Sequence, residues 1–255
     1  MTSPPAVTLL GTQLTLYDQA DLLAFIGAAI AAGEKRLILS GNIYSYNLAY
    51  EQPWLRTFFN HADVVRLDGA GVRLGARLLG HATPPRMTWA DFAWDLADYA
   101  AAHQYRCFLL GAKPGIAERA AAKLQEHAPN FRIVGTHHGY FNKETAHPEN
   151  QAVINQINEL QPDLLIVGFG MPLQERWLAA NWAQLNARVT MTGGAVFDYL
   201  SGELTRAPQW MTDHGLEWLG RMLIEPRRLW RRYVIGNPQF FWRVAKQRAG
   251  FTPPQ

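Results

Sequence analysis

Acidic and glycine residues follow predicted strands at several points of the sequence. The first such segment is Leu67-Asp68-Gly69-Ala70-Gly71-Val72, directly after a short apolar run. An acid at the carboxyl end of a strand, followed by glycines that permit a tight turn, points its carboxylate into the ligand crevice of a parallel sheet. Asp68 could there accept the proton of an acceptor hydroxyl as a general base. The alternative is that Asp68 caps the helix predicted over 71–79.

Two other predicted turns carry residues suited to binding phosphate or sugar. Gly111 opens Gly111-Ala112-Lys113-Pro114-Gly115, and the backbone N–H groups of such a strand-to-helix turn can face a phosphate. The segment lacks the glycine fingerprints of a P-loop and of a dinucleotide site. Gly194 and Asp198 follow the last predicted strand. Gly194 allows close backbone approach, and Asp198 could accept from a ribose or base or serve a structural role.

A further predicted helix begins at Pro172, which places Gln174 and Glu175 in its first turn. Gln174 could donate to a phosphate or a sugar hydroxyl. Glu175 could bind the ligand, or it could simply favour the helix N-terminus electrostatically.

No metal or cofactor signature is visible. The sequence has no clustered His/Cys set and no Asp-x-Asp at a predicted strand end. His137 and His138 adjoin Gly139-Tyr140-Phe141, but adjacent side chains point apart in extended chain. We therefore expect no metal and no cofactor, with any nucleotide acting as a substrate.

The elements that must position these residues alternate between short apolar runs and longer segments of helical spacing. This alternation predicts an α/β fold with a mainly parallel, Rossmann-like sheet flanked by helices, whose strand ends bind ligands at one edge. The predicted strands are 37–39, 64–67, 107–110, 132–134, 164–167 and 189–192, and the predicted helices are 19–32, 71–79, 89–103, 115–127, 148–160 and 172–184.

The chain changes character after Gly202. We predict an α/β catalytic domain over 1–204 and, over 205–255, a helical basic and aromatic appendage that contacts the membrane and completes the site. The chain carries 24 basic and 21 acidic residues, but from Arg221 onward there are eight basic residues and one acid, a net of +7.

Trp, Phe and Leu residues are interleaved with these basic residues. Such a mixture suits an anionic membrane interface. A basic helix packed on the core by its aromatic residues, or a nucleic-acid arm, would also account for it. We favour the membrane and expect no nucleic-acid partner.

The sequence shows neither a secretory signal nor an 18-residue apolar run, so we expect a soluble or peripheral protein. Its one cysteine, Cys107, lies in an apolar run and is expected to be a buried strand residue.

Taken together, these segments resemble the WecG/TagA/CpsF family, glycosyltransferase family 26, from about Ser40 to Phe241. The segments that carry the resemblance are Asp68-Gly69, Gly139-Tyr140-Phe141, Gly170-Met171-Pro172-Leu173-Gln174-Glu175-Arg176-Trp177, Gly193-Gly194 through Asp198, Arg206-Ala207-Pro208, Gly215-Leu216-Glu217-Trp218 and Glu225-Pro226-Arg227-Arg228-Leu229-Trp230-Arg231-Arg232-Tyr233.

The resemblance implies a GT-E-type fold and an inverting transfer from a UDP-sugar to a polyprenyl-diphosphate-linked sugar. It places the protein peripherally at the cytoplasmic face of the inner membrane, in the assembly of teichoic acid, common antigen, capsule or exopolysaccharide. Oligomeric state, acceptor sugar and linkage stay open. A dinucleotide-dependent oxidoreductase and a non-catalytic lipid-binding protein are the alternatives.

The resemblance also assigns roles to residues. It makes Asp68 the base, places Ser40 and Asn42 on the family's Thr-x-Asn pattern, and assigns Arg86 to the diphosphate and Gln174 to the donor. We count Tyr140 with the substrate-binding residues. Without a metal, the charge on the departing UDP would fall to Arg86, to backbone N–H groups and to tail arginines, namely Arg221, Arg228 and Arg231.

One residue departs from the family pattern. Trp89 stands where the family usually has glycine, and its indole is expected to narrow the sugar pocket or to offer a stacking face. The donor is therefore left open among N-acetylmannosamine, its uronic acid and glucose.

Overall fold

The computed structural model describes residues 5–251, apart from the side chain of residue 209. The outermost residues of the two predicted domains, 1–4 and 252–255, lie outside this range.

Within residues 5–251, eight strands form one sheet in the order β1-β2-β4-β3-β8-β7-β5-β6. The first two pair antiparallel, and the other described registers are parallel. This confirms the predicted α/β class. The strands are β1 (Ala6–Leu9), β2 (Thr12–Thr15), β3 (Arg36–Gly41), β4 (Val64–Leu67), β5 (Arg106–Gly111), β6 (Arg132–His137), β7 (Leu164–Gly168) and β8 (Val189–Thr192).

Helices flank this sheet. They are α1 (Gln19–Ala31), α2 (Ile43–Glu51), α3 (Pro53–His61), α4 (Ala70–Leu78), α5 (Trp89–Ala102), α6 (Ile116–His127), α7 (Pro148–Leu160), α8 (Leu173–Asn181), α9 (Val196–Leu200), α10 (Gln209–Asp213), α11 (Glu217–Ile224), α12 (Pro226–Trp230) and α13 (Gly236–Arg248). A 3₁₀ turn, Trp182–Gln184, extends α8, and a π-helical segment, Arg231–Ile235, joins α12 to α13.

Inner strands are buried along their whole length because helices flank the sheet. All residues of β7, Leu-Leu-Ile-Val-Gly, are buried, as are all those of β8. Cys107 is buried in β5, as predicted, and burial raises the pKa of its thiol well above its usual range. The carboxyl ends of β5, β7 and β8 lie side by side, since Gly111 is in register with Gly168 and Val167 with Thr192.

The prediction omitted the hairpin β1–β2 and the helices α2 and α3. The hairpin turns at Leu10 and Gly11, with φ of 52° and 77°. Positive φ at both central residues is the geometry of a type I′ turn, but Leu-Gly lacks the Asn-Gly or Asp-Gly signal that marks such turns in a sequence.

The chain divides into two compact units. Unit 1 comprises Met1–Asp18, Leu39–Thr88 and Thr205–Gln255, and unit 2 comprises Gln19–Ile38 and Trp89–Leu204. Residues 205–255 thus belong to the same compact unit as two earlier segments of the chain. The division into a catalytic domain over 1–204 and an appendage over 205–255 stays a prediction.

Within unit 1, α13 packs on α2 and α4. Phe240 is fully buried, and a Cβ placed on Gly75 would lie 2.8 Å from its ring, so only a glycine lets the two helices approach this closely. Polar contacts support the packing: Asn47 donates to the carbonyl of Gly236 at 2.7 Å, and Arg243 pairs with Glu51 at 2.6 Å.

We expect Phe240→Ala to lower the free energy of unfolding by about 3–5 kcal/mol, because it opens a cavity where α13 meets α4. Trp242→Ala, on the same helix but with its side chain 63% exposed, should change it by less than about 0.5 kcal/mol. Denaturant unfolding of both variants measures the difference, and equal losses would contradict this packing.

Candidate functional site

Asp68 follows β4 and faces a buried guanidinium. Its Oδ1 lies 3.6 Å from Nη2 of Arg66, and its side chain keeps 22% of its surface exposed. The backbone N–H of Asp68 donates to the carbonyl of Gly41 at 3.0 Å, which ties the ends of β4 and β3 together. Helix α4 has Gly69, not Asp68, at its N-cap position, and no side-chain hydrogen bond closes that cap. The structure therefore does not show Asp68 in the capping role.

Arg66 was missed in the sequence, where its only signal is a charged residue inside the apolar strand Val-Val-Arg-Leu. Its Nε donates to Ser40 Oγ at 3.1 Å and its Nη1 to the Met87 carbonyl at 3.3 Å. Burial lowers the pKa of Arg66, and the Asp68 carboxylate acts in the opposite direction. We call Ser40, Arg66 and Asp68 the Asp68 cluster; its contacts place the positive charge of Arg66 beside the carboxylate.

Asn42 lies close to this cluster in sequence and forms the N-cap of α2. Its Oδ1 accepts from the Ser45 backbone at 3.1 Å, and Ser45 Oγ accepts from the Asn42 backbone at 2.9 Å. This reciprocal capping box gives Asn42 a structural use. Its predicted contact with substrate stays a prediction.

Arg86 also lies in unit 1, in the loop before α5. It pairs with Glu217 at 2.8 Å, and Arg206 lies 3.5 Å from the same carboxylate. Arg206 and Glu217 belong to segments that carried the family resemblance, which also assigns Arg86 to the diphosphate. The structure thus gathers two cations around one acid at the start of α11.

The predicted tail arginines also have acidic or aromatic neighbours. Arg221 lies 3.6 Å from Glu225, Arg228 pairs with the same carboxylate, and Arg231 lies 5.7 Å from the ring centre of Trp230. Apolar side chains are exposed along the same segment: Leu223, Ile224, Trp230, Val234, Ile235 and Trp242. Among residues 5–251, no helix is both long and apolar enough to cross a membrane.

In unit 2, glycines let the loops after the strands pack backbone to backbone. Gly111 has φ of 151°, and a Cβ there would lie 2.3 Å from the Gly168 carbonyl oxygen. A Cβ on Gly168 would lie 3.0 Å from the Gly194 carbonyl oxygen. The backbone N–H of Gly139 donates to the carbonyl of Ala112 at 2.8 Å. We call Gly111, Gly139, Gly168 and Gly194 the glycine edge. This edge lies at the carboxyl ends of the strands, the position where α/β sheets bind nucleotides. Gly139 and Gly194 are half-buried there, and Gly111 and Gly168 are buried.

Gln174 and Glu175 are buried beside this edge. Gln174 is only 2% exposed; its Oε1 accepts from the Gly194 backbone at 3.0 Å, and its Nε2 donates to Glu175 Oε1 at 2.8 Å. Burial raises the pKa of Glu175 to about 7, which the hydrogen bond from Gln174 partly opposes. Both residues hold the loops together; direct contact with a ligand stays a prediction.

The remaining predicted residues of unit 2 lie at loops or short helices. Asp198 is half-buried in α9. Tyr140 is 67% exposed, in a loop that Lys143 secures by donating to the carbonyls of Gly139 and Phe141. Tyr140 borders a pocket of about 350 Å³, which is also lined by His137, His138, Phe141 and Glu149. Within the described part of the chain, no group of three His, Cys, Asp or Glu residues could hold a metal ion.

Trp89 does not offer the expected stacking face. Its indole is 6% exposed, packs edge-on against Phe92 at 5.6 Å, and donates from Nε1 to the Thr192 carbonyl at 2.7 Å. A Trp hydrogen-bonded in this way is part of the core.

The sequence matches a known family over nearly its whole length. The model of the Glycosyl transferase WecG/TagA/CpsF family matches residues 7–253, so the protein is a glycosyltransferase. More particularly, the chain belongs to the WecG/TagA/CpsF family. This membership removes the support for the oxidoreductase and the non-catalytic alternatives.

Two curated relatives carry the same name, N-acetylglucosaminyldiphosphoundecaprenol N-acetyl-beta-D-mannosaminyltransferase. The protein from Bacillus subtilis (strain 168) is 32% identical over 181 residues, which cover 71% of this chain and 67% of the relative. The protein from Staphylococcus aureus (strain MRSA252) is 28% identical over 211 residues, 83% of this chain and 80% of the relative.

The buried carboxyl of Glu175 predicts a pH-dependent stability. Its pKa of about 7 in the folded protein exceeds its ordinary 4.5, so the folded state holds the proton more tightly. The resulting contribution to the free energy of unfolding, about 3 kcal/mol, is present below pH 4.5 and is lost as the pH rises through 7. Glu175→Gln should remove it. Denaturant unfolding of both proteins at pH 5 and pH 8 checks this, and parallel changes in the two would contradict it.

Proposed function

We propose that the protein transfers a sugar from a UDP-sugar to a polyprenyl-diphosphate-linked sugar, with inversion, in the assembly of a bacterial cell-surface polysaccharide. The observation that carries the proposal is Asp68, a partly exposed carboxylate held by the buried Arg66 at the end of a parallel strand. The names of the relatives support a lipid-linked acceptor, and they make N-acetylmannosamine the first donor sugar to test.

In the proposed reaction, Asp68 accepts the proton of the acceptor hydroxyl while that oxygen attacks the anomeric carbon. UDP leaves from the opposite face of the sugar, so the configuration inverts. Arg66 and Ser40 act on the base: they hold the carboxylate in one orientation, and a fixed orientation lowers the entropic part of the barrier. No metal or cofactor takes part.

Groups that could bind diphosphate or nucleotide are present in each of the two units. In unit 1, Arg86 supplies positive charge, as do the tail arginines Arg221, Arg228 and Arg231; Arg86, Arg221 and Arg228 must then exchange their carboxylate partners for phosphate. In unit 2, we assign the backbone of the loops at the glycine edge to the nucleotide, Asp198 to its ribose or base, and Tyr140 to stacking. Arginine and backbone donors can stabilise the departing diphosphate without a metal.

We further propose that the protein binds the cytoplasmic face of the inner membrane peripherally. The exposed apolar residues of α11–α13 lie among arginines, which matches the chemistry of an anionic bilayer surface. A lipid-linked acceptor has its reactive sugar at that surface. The proposed membrane binding would therefore bring enzyme and acceptor together.

Asp68→Asn should lower kcat by about 10²- to 10⁴-fold, because an amide cannot accept the acceptor proton. Binding of UDP, measured by calorimetry, should be unchanged. Glu203→Gln, which alters an exposed acid paired with Arg119, serves as the control and should keep wild-type turnover. Near-normal turnover by the Asp68 variant with a UDP-sugar and a short-chain lipid-diphosphate acceptor would overturn the assignment of the base.

The double variant Leu223→Ser/Trp230→Ser should bind vesicles containing phosphatidylglycerol at least about tenfold more weakly than the wild type, since each exposed side chain loses apolar burial. Leu173→Ser removes an exposed leucine from unit 2 and should leave vesicle binding unchanged. Co-sedimentation measures all three proteins. Equal losses in both variants, or no wild-type binding to the vesicles, would contradict the proposed surface.

A further inference from the structure

The turn that follows β8 is held by side chains on both sides. We call Thr192, Gly193 and Gly194 the β8 turn. Its first carbonyl accepts from Trp89 Nε1 at 2.7 Å, and its last N–H donates to Gln174 Oε1 at 3.0 Å. Between these two contacts, the N–H of Gly193 donates to the Val167 carbonyl at 2.8 Å.

The chemistry of Trp89 and the hydrogen bonds around Gln174 decide which of the two donates to the turn and which accepts from it. An indole can only donate, so Trp89 fixes a carbonyl. The amide of Gln174 could point either way, but its Nε2 donates to Glu175 Oε1, and this leaves Oε1 to accept from Gly194. Glu175 is fully buried, and its Oε2 has no hydrogen-bond partner among the described residues. Glu175 thus orients Gln174, which in turn orients the glycine.

The outer face of the turn is open. Gly194 has φ of 61°, and a Cβ built there would meet no atom within 4 Å. A Cβ on Gly193, by contrast, would lie 2.7 Å from the side chain of Val196. The turn is therefore packed and hydrogen-bonded on its inner side and accessible at Gly194, beside the other strand ends of the glycine edge.

We propose that Trp89 and Glu175 are positioning residues for the nucleotide-sugar donor. Both act through the β8 turn: Trp89 directly on Thr192, and Glu175 through Gln174 on Gly194. They hold the half-buried backbone of Gly194 in the geometry that receives the donor, so that little ordering is needed on binding. This inference rests on the proposed function, in which the glycine edge of unit 2 binds a UDP-sugar.

Trp89→Phe and Glu175→Leu test the two sides separately. Phenylalanine keeps a ring but loses the N–H, and leucine keeps the volume but cannot accept from Gln174. Each variant should raise the KM for the UDP-sugar about fivefold to tenfold, the effect of one lost hydrogen bond, and leave the KM for the acceptor within about twofold. Glu175→Gln still offers an accepting oxygen and should restore the donor KM to near the wild-type value.

The outcomes separate this inference from the function on which it rests. A wild type that neither binds UDP nor uses any UDP-sugar overturns the proposed function and the inference with it. A wild type that does both, while Trp89→Phe and Glu175→Leu keep the wild-type donor KM, overturns the inference alone. So does an equal rise of the donor and acceptor KM values, which indicates general loosening of the fold. If Trp89→Phe does not fold, the Glu175→Leu and Glu175→Gln pair decides.

Discussion

A guanidinium buried in the sheet is the constraint on which the candidate catalytic residue depends. Arg66 points from the apolar strand β4 into the interior, where an uncompensated charge would cost several kcal/mol, on the order estimated for buried ions. The compensation comes from Ser40 on β3, from the Met87 carbonyl and from the carboxylate of Asp68. The stability of the strand therefore depends on the position of the Asp68 carboxylate, because a displaced carboxylate would leave the buried charge of Arg66 with less compensation.

The second unit meets a different constraint. Its strand ends approach so closely that a side chain on Gly111 would collide with the neighbouring backbone. Glycine is required there for space. In the proposed function this edge binds the nucleotide, and selectivity among nucleotides would then come from side chains that shape or border the edge. Trp89 and Gln174 lie at buried positions, whereas Tyr140 lies at the surface.

The sequence predicts the inner sheet well and its periphery poorly. The bounds of β4 and β8 are as predicted, because each is a short run of mainly β-branched and apolar residues that ends at a glycine-containing turn. Helix α2 escaped prediction because it buries Ser45 and Asn47 together with apolar residues, which weakens its helical pattern. The hairpin β1–β2 lacked turn residues of the usual type.

The candidate site, like the sheet, could be predicted only in part from the sequence. The loops that follow strands were predictable, since a strand and its end are local features of the sequence. The roles of Arg66 and Trp89 were not, because each depends on a partner far away in the chain: Ser40 for one and Thr192 for the other. A sequence shows that a polar group exists, but the fold decides what compensates it once it is buried.

The C-terminal segment has some side chains that hold it in place and others that are exposed. Phe240 and Arg243 hold α13 in place within unit 1, whereas Leu223, Trp230 and Trp242 lie at the surface. The net charge of the segment overstates what a lipid surface would meet, because Arg243 pairs with Glu51, an acid outside the segment. An apolar side chain that becomes fully buried contributes about 1.5–3 kcal/mol, against about 1 kcal/mol for a basic residue near an anionic surface. For the membrane binding proposed here, the apolar side chains therefore supply the larger part of the affinity, and the arginines chiefly select an anionic surface.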